Sequence, residues 1–203
     1  MVFISFVRPE SDSVEVNLSR WADAVLASIR GKPNVSSSDL RGTQVTRAAV
    51  STAMAAHQLT LFFLHGQRNS LGDPVVWADS GNIADGKGTV LIAFACLAGD
   101  QLGPNAVTNG VRAFLGFDDI LTNYAPQPGL FGQCVDAALR PFILSGQSID
   151  AVRSALESGF QAIEKHYRAG VGTNHRNATI IWLAAHVNWR GLVFHGDPNA
   201  TIP

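Results

Sequence analysis

The stretches Leu59-Thr60-Leu61-Phe62-Phe63-Leu64-His65-Gly66 and Val90-Leu91-Ile92-Ala93-Phe94-Ala95-Cys96 decide how this chain folds. Both are apolar almost throughout and lack the alternation of polar and apolar residues expected of a strand with one face in water. Such runs are typical of β-strands that are buried on both faces of a parallel sheet. His65 and Cys96 stand where the two runs give way to loops.

Strands and helices alternate on either side of these two runs. The apolar pattern predicts further strands at 2–7, 74–78, 113–117 and 191–195, and a Gly- and Asp-rich loop at 79–88. Helical spacing predicts helices at 18–29, capped by Asn17, and at 43–57, 131–144 with a break at Pro141, 148–167 and 178–187. This order predicts an α/β fold, a three-layer sandwich with a mostly parallel central sheet.

The length and composition favour one globular domain spanning residues 1–203. Two hundred and three residues suit a single core, and 15 Lys plus Arg against 16 Asp plus Glu leave no positive excess to bind nucleic acid. No basic region precedes the first apolar run, and no run is long enough to cross a bilayer, so we expect a cytoplasmic protein without membrane contact. The two cysteines, Cys96 and Cys134, show no metal-ligand spacing, and we expect neither a metal nor a cofactor.

The ends of the two buried runs carry residues suited to nucleophilic catalysis. Loops at the carboxyl ends of parallel strands face one crevice, so His65 and Cys96 are expected at the same edge of the sheet. A thiol with a pKa of ~8.5 becomes a good nucleophile when an imidazole takes its proton. The N–H groups of Gly66 and Cys96 are candidates for holding an oxyanion, and Gly99 is expected to let the chain turn sharply behind the nucleophile.

These residues resemble a known family. An apolar strand followed by His-Gly, a loop, and a second apolar strand ending in Ala-Cys-x-Ala-Gly is similar to the caspase-like cysteine peptidases of the gingipain and CHAT-domain type. The segment 110–117 resembles their next core strand, and Gly196-Asp197-Pro198 resembles the end of their closing strand. The likeness is good over 59–121 and loose elsewhere.

The resemblance implies a caspase-like fold and a role for each matching residue. His65 would be the general base and acid, Cys96 the nucleophile, and Gly66 an oxyanion donor in the hydrolysis of peptide bonds through an acyl-enzyme. It also implies a protein or peptide substrate and a place in bacterial defence or regulation. An activating protein partner, self-cleavage and a ligand remain alternative means of control.

One departure concerns the substrate. Several relatives that cut after Arg or Lys carry an acid two positions before the cysteine, where this chain has Phe94. Phe94 is therefore a candidate substrate-binding residue that puts basic specificity in doubt. Asp73 and Asp79, or Asp100, remain candidates to supply a carboxylate from loops.

Other readings stay open beside the peptidase hypothesis. The same fold can serve as a catalytically silent interaction or regulatory module. Serine hydrolases, dinucleotide-binding enzymes and phosphate-loop enzymes lose support, because the chain lacks their Gly-rich and nucleophile motifs. Cys134 suits a packing role on a helix, and His195-Gly196 is a weaker match than His65-Gly66. The remaining histidines are expected at surface or packing positions: His57, His166, His175 and His186.

Overall fold

The computed structural model describes residues 1–123 and 126–202. Its strands are β1 (Val2–Arg8), β2 (Val35–Arg41), β3 (Leu59–Phe63), β4 (Gly66–Gln67), β5 (Ser70–Leu71), β6 (Ala78–Asp79), β7 (Val90–Phe94), β8 (Ala113–Phe117) and β9 (Leu192–Gly196). Its α-helices are α1 (Ser13–Ile29), α2 (Arg47–Ala56), α3 (Leu102–Thr108), α4 (Pro128–Ser145), α5 (Ile149–Ala169) and α6 (Ala178–Arg190).

A six-stranded sheet forms the centre, in the order β2-β1-β3-β7-β8-β9. All neighbouring pairs are parallel except β8 with β9. One face of the sheet is covered by α1, α4, α5 and α6, and the other by α2 and α3. The predicted α/β class and the three-layer sandwich with a mostly parallel sheet are therefore confirmed.

The two apolar runs lie side by side in the middle of the sheet. Every residue of β3 and of β7 is buried, and Leu59 pairs with Val90 in a register that continues to Phe63 and Phe94. Alternate side chains enter the two hydrophobic cores, as the two-residue period of a strand requires. Burying both faces of these strands is what their uninterrupted apolar sequence favours.

Two strand predictions were incomplete or wrong. The sheet edge strand β2 was missed, because its sequence Val-Ser-Ser-Ser-Asp-Leu-Arg is largely polar and mostly exposed. The strand predicted at 74–78 does not form, since Val75 is exposed and only Ala78 joins the small antiparallel sheet of β4, β5 and β6.

The helix boundaries also differ from the prediction. Asp12, not Asn17, caps α1, and its carboxylate accepts hydrogen bonds from Val14 N and Glu15 N. Helix α3 was missed because it spans only seven residues. Helix α4 continues through Pro141 to Ser145 and is capped by Gly146, which has a positive φ of 63°.

Candidate active site

His65 and Cys96 lie at the same edge of the sheet, just beyond β3 and β7. They follow the paired residues Phe63 and Phe94 by two positions each, and Leu64 N still donates to Phe94 O at 3.4 Å. Phe63 and Phe94 both face the core beneath α1. Two positions further along, the side chains of His65 and Cys96 return to that same face: His65 meets the start of α1, and Cys96 packs against this core.

Gly66 brings the two strand ends into direct contact. A Cβ atom at this position would overlap the carbonyl oxygen of Cys96 and come within 2.8 Å of Ala95 Cβ and 3.3 Å of Cys96 N. The backbone of Gly66 therefore rests on the backbone of the cysteine, and no larger residue fits between them. The glycine after the histidine has a packing reason that the sequence did not show.

The imidazole of His65 is held by a carboxylate. Its Nε2 lies 2.7 Å from Asp12 Oδ2, while Asp12 Oδ1 caps α1. Burial alone would raise the pKa of Asp12, but the Glu15 N–H and the His65 imidazole outweigh it, so the pKa lies below its usual value. Asp12 is thus ionised near neutral pH, and Nδ1 is the His65 nitrogen left to face a thiol.

Glu15 fixes the loop that presents Asp12. Its side chain is buried, with Oε2 accepting from Ser11 N at 2.8 Å and from the Ser11 hydroxyl at 2.6 Å. Its Oε1 accepts from His65 N at 3.4 Å. One buried carboxylate therefore ties the loop before α1 to the backbone of the candidate base.

The thiol of Cys96 donates to a backbone carbonyl. Its Sγ lies 3.8 Å from Leu121 O, and among the described residues no hydrogen bond joins it to His65. Burial raises the pKa of this thiol and outweighs the backbone contacts at Leu121 and Cys96 that lower it, while the charge of Asp119 adds a small further increase. The sulfur is therefore a neutral thiol near pH 7, which needs a base before it can attack.

The turn behind the cysteine is made at Leu97, not at Gly99. Leu97 has a φ of 60°, a left-handed conformation that is uncommon for a residue with a side chain. Its N–H donates to Asp119 O at 3.0 Å, which fixes the strained residue. Gly99 serves close packing instead, because a Cβ there would overlap Val193 and approach Phe117 C at 3.0 Å.

The candidate oxyanion donors are arranged side by side. Gly72 N donates to His65 O at 2.7 Å, so in the antiparallel register of β4 and β5 Gly66 occupies a position that is not hydrogen-bonded to Leu71. Its N–H therefore points away from β5. The nearby Cys96 N is not a donor in any backbone bond of the described residues.

The predicted substrate-binding residues are buried, ion-paired or exposed on a loop. Phe94 is fully buried and stacks on Phe63 with a centroid distance of 4.9 Å, which removes it from the substrate-binding residues. The carboxylate of Asp79 is taken by Arg47, whose NH1 lies 3.1 Å away. Asp100 pairs with Arg68 at 3.0 Å. Asp73 is exposed on the loop before β6.

The remaining candidates lie away from the two strand ends. His195 Nε2 is 2.8 Å from Gly99 O, and His195 pairs with Phe114 near the start of β8, at the far end from the loop that contacts Cys96. Cys134 lies on α4, where burial raises its pKa to about 11. In 1–123 and 126–202, no three His, Cys, Asp or Glu side chains cluster as metal ligands would.

Asp12 and Glu15 are the site residues that sequence reasoning missed. A polar Ser-Asp-Ser turn before a helix signals a cap, and the assignment of the cap to Asn17 hid it. No local pattern signals the contact between Asp12 and His65, which are 53 positions apart.

Comparisons with known proteins give a partial likeness in structure. No protein-family model matches the chain, and no curated protein matches it. Among solved structures, it is similar to a secreted C11 cysteine protease from Bacteroides thetaiotaomicron, determined with an irreversible peptide inhibitor. The TM-score is 0.48 at 11% identity, and the alignment covers 82% of this chain and 59% of that chain.

No helix in the described ranges combines the length and the apolar character that crossing a bilayer requires.

Proposed function

We propose that this protein is a cysteine endopeptidase of the caspase-like kind, with Cys96 as nucleophile and His65 as general base and acid. The observation that carries the proposal is the seating of Gly66 on the backbone of Cys96, which joins two parallel strand ends whose next side chains face the same side. The thiol and the imidazole therefore both face the same groove.

The proposed reaction uses only groups at this edge. His65 Nδ1 takes the proton from Cys96 Sγ, and the sulfur attacks the carbonyl carbon of the scissile bond. The N–H groups of Gly66 and Cys96 donate to the oxyanion that forms. The imidazolium then gives its proton to the leaving amine, which departs as the thioester forms. Water, deprotonated by His65, hydrolyses the thioester and restores the thiol.

Asp12 supports this cycle as a positioning residue. A carboxylate on Nε2 favours the tautomer that carries its proton there, which leaves Nδ1 as the acceptor for the thiol proton. The same charge stabilises the imidazolium that forms next. Apart from the helix cap, Asp12 bonds only His65 among the described residues, and no hydrogen bond joins it to the thiol or to Leu121.

A catalytically silent module is the competing function, and one observation favours it. The thiol is bonded to Leu121 O and has a raised pKa, so it is not held as a thiolate. In the peptidase proposal, a substrate or an activating protein partner releases the sulfur from Leu121. In the silent module, the sulfur stays there.

A cleavage screen separates the two functions. Wild type, Cys96→Ala, His65→Ala and the matched control Cys134→Ala are incubated with a peptide library, and products are read by mass spectrometry. The proposal expects cleavage by wild type and Cys134→Ala only. Iodoacetamide labelling of Cys96 near pH 7 should also slow in His65→Ala. Absence of cleavage, with labelling that is equal in wild type and His65→Ala, would establish the silent module instead.

A further inference from the structure

A second feature lies on the face of the site where His65 and Cys96 emerge. A cleft of about 280 Å³ runs between the start of α1 and the segment that follows β8. We call it the α1 cleft, lined by Ser13, Val14, Asn17, Ile120, Leu121, Thr122 and Asn123. One wall begins directly after Asp12, which bonds His65, and the opposite wall contains Leu121, which accepts from Cys96. A peptide carbonyl between base and nucleophile would place its neighbouring side chain here.

The lining of the α1 cleft carries no charge. Its walls are apolar at Val14, Ile120 and Leu121, and its polar groups are hydroxyls and carboxamides. A carboxylate entering it would meet no cation, and an ammonium would be desolvated without an anion in the lining. Two carboxylates adjoin the lining residues along the chain. Asp12 is committed to His65 and the helix cap, and exposed Asp119 accepts from Ile120 N at 2.7 Å.

Asn123 gives the α1 cleft its polar specificity. Both atoms of its carboxamide, Oδ1 and Nδ2, are inaccessible to solvent and have no hydrogen-bond partner within the described residues. A buried amide without partners costs about 1–3 kcal/mol, and a ligand that supplies both an acceptor and a donor recovers that energy. A second carboxamide is the side-chain group that does so without charge.

The wall that carries Asn123 is fixed in place. Thr122 N donates to Asn188 Oδ1 at 2.7 Å, and Asn188 Nδ2 donates back to Thr122 O at 3.0 Å. Asn188 is fully buried on α6, and Asp118 N is held by Gly191 O at 2.9 Å. The α1 cleft is therefore anchored to the helical layer rather than formed by a free loop.

Resting on the proposed peptidase function, we infer that the α1 cleft binds the side chain before the scissile bond and selects a carboxamide, Asn or Gln. The flat amide would lie between the apolar walls and pair with the carboxamide of Asn123, which a rotation of that side chain would turn into the cleft. Basic and acidic side chains are disfavoured at this position.

The test uses peptides that differ only at that side chain. Asn, Asp and Leu are close in shape, so differences among these peptides report hydrogen bonding and charge rather than size. A Lys peptide tests whether Asp12 and Asp119 attract a cation. We expect kcat/KM for the Asn peptide to exceed that of the Asp, Leu and Lys peptides by about 10- to 100-fold, because a site built to hydrogen-bond rejects analogues that lack the group. Equal rates, or a preference for Leu or Lys, would overturn the inference.

A binding measurement keeps this inference separate from the proposed function. Cys96→Ala is titrated with the same peptides by calorimetry, which needs no catalysis. Tighter binding of the Asn peptide, with no cleavage by wild type, would refute the peptidase proposal and support the proposed selectivity of the α1 cleft. Equal binding of all four peptides would refute that selectivity. Asn123→Leu should bind the Asn and Leu peptides equally, while Cys96 is labelled by iodoacetamide at the wild-type rate. Asn123→Asp should prefer the Lys peptide. The aspartate variant provides the test if the leucine variant does not fold.

Discussion

Replacing Asp12 by Asn tests whether the carboxylate on His65 organises the candidate base. Asp12 Oδ1 caps α1, and Oδ2 lies 2.7 Å from His65 Nε2. Asn is an equally good N-cap, so its oxygen can keep the cap while its amide N–H₂ faces the imidazole. A donor at that place makes Nε2 the acceptor and puts the imidazole proton on Nδ1. The nitrogen required to accept the thiol proton is then already protonated.

The size of the effect follows from the geometry. Two unit charges at the 2.7 Å contact interact by about 1.5 kcal/mol in water and about 6 kcal/mol at an effective dielectric constant of 20. The side chains of His65 and Asp12 are 26% and 48% exposed, so solvent screening places the pair near the lower value, about 1–2 kcal/mol. A tenfold change corresponds to about 1.4 kcal/mol, which predicts a loss in kcat/KM of about 5- to 30-fold for Asp12→Asn from the charge alone.

The assay compares Asp12→Asn with Asp12→Ala. Both lose the carboxylate, but only the alanine variant also loses the cap, which costs about 1 kcal/mol of stability. We therefore expect both to cleave peptides slowly and to label slowly at Cys96. Asp12→Ala should unfold at a lower urea concentration than Asp12→Asn, which loses only the contribution of the charge. Wild-type kcat/KM in Asp12→Asn would refute the positioning role. Equal destabilisation of both variants would refute the separation of cap from base.

The pH dependence of stability checks the same residue independently. Since the pKa of Asp12 in the fold lies below its ordinary value of 3.8, its ionised form stabilises the folded protein. That contribution is fully present above pH 3.8 and is lost as the pH falls through the lower folded value. The difference in unfolding free energy between wild type and Asp12→Asn should shrink on going from pH 6 to pH 3.

Three further predictions concern the neighbouring residues. Labelling of Cys96 by iodoacetamide should keep rising through pH 9, because burial raises its thiol pKa from 9.0; a plateau below pH 7 would reveal a preformed thiolate instead. Gly66→Ala should destabilise the fold by about 1–3 kcal/mol in urea unfolding, since its Cβ would overlap the Cys96 backbone, whereas exposed Gly129→Ala should not destabilise it. Glu15→Gln should lower the free energy of unfolding by about 1–3 kcal/mol, because an amide N–H₂ cannot accept from the Ser11 donors. An unchanged midpoint of urea unfolding would contradict this role of the buried Glu15 carboxylate.

The central strands could be predicted because their own sequences indicate that both faces are buried. Residues 59–64 and 90–96 are almost wholly apolar without alternation, and runs of this short length are typical of strands covered on both faces. Once both strands are parallel neighbours, the residues that follow them must share an edge. The proximity of His65 and Cys96 therefore follows from local pattern and one topological rule.

The elements that were missed depend on tertiary contacts. Strand β2 is polar because it lies at the sheet edge, and its pairing with β1 from Val2 to Arg8 supplies what its sequence lacks. The burial of Phe94 could have been expected from the same two-residue period that placed Cys96 on the α1 side. A resemblance to enzymes with an acid at that position drew attention to specificity instead of packing.

Holding the thiol and shaping the α1 cleft are tasks of one segment, residues 118–123. Leu121 O accepts from Cys96, and Leu121 and Asn123 line the cleft. On the proposed function, a side chain that fills the cleft therefore presses on the segment that binds the sulfur. Asn188 holds the backbone at Thr122 through a 2.7 Å hydrogen bond, whereas the thiol contacts Leu121 O at only 3.8 Å. The weaker thiol contact is therefore the one that breaks first. Binding of substrate and release of the sulfur toward His65 would then be one event, which explains how a neutral, carbonyl-bound thiol is compatible with catalysis.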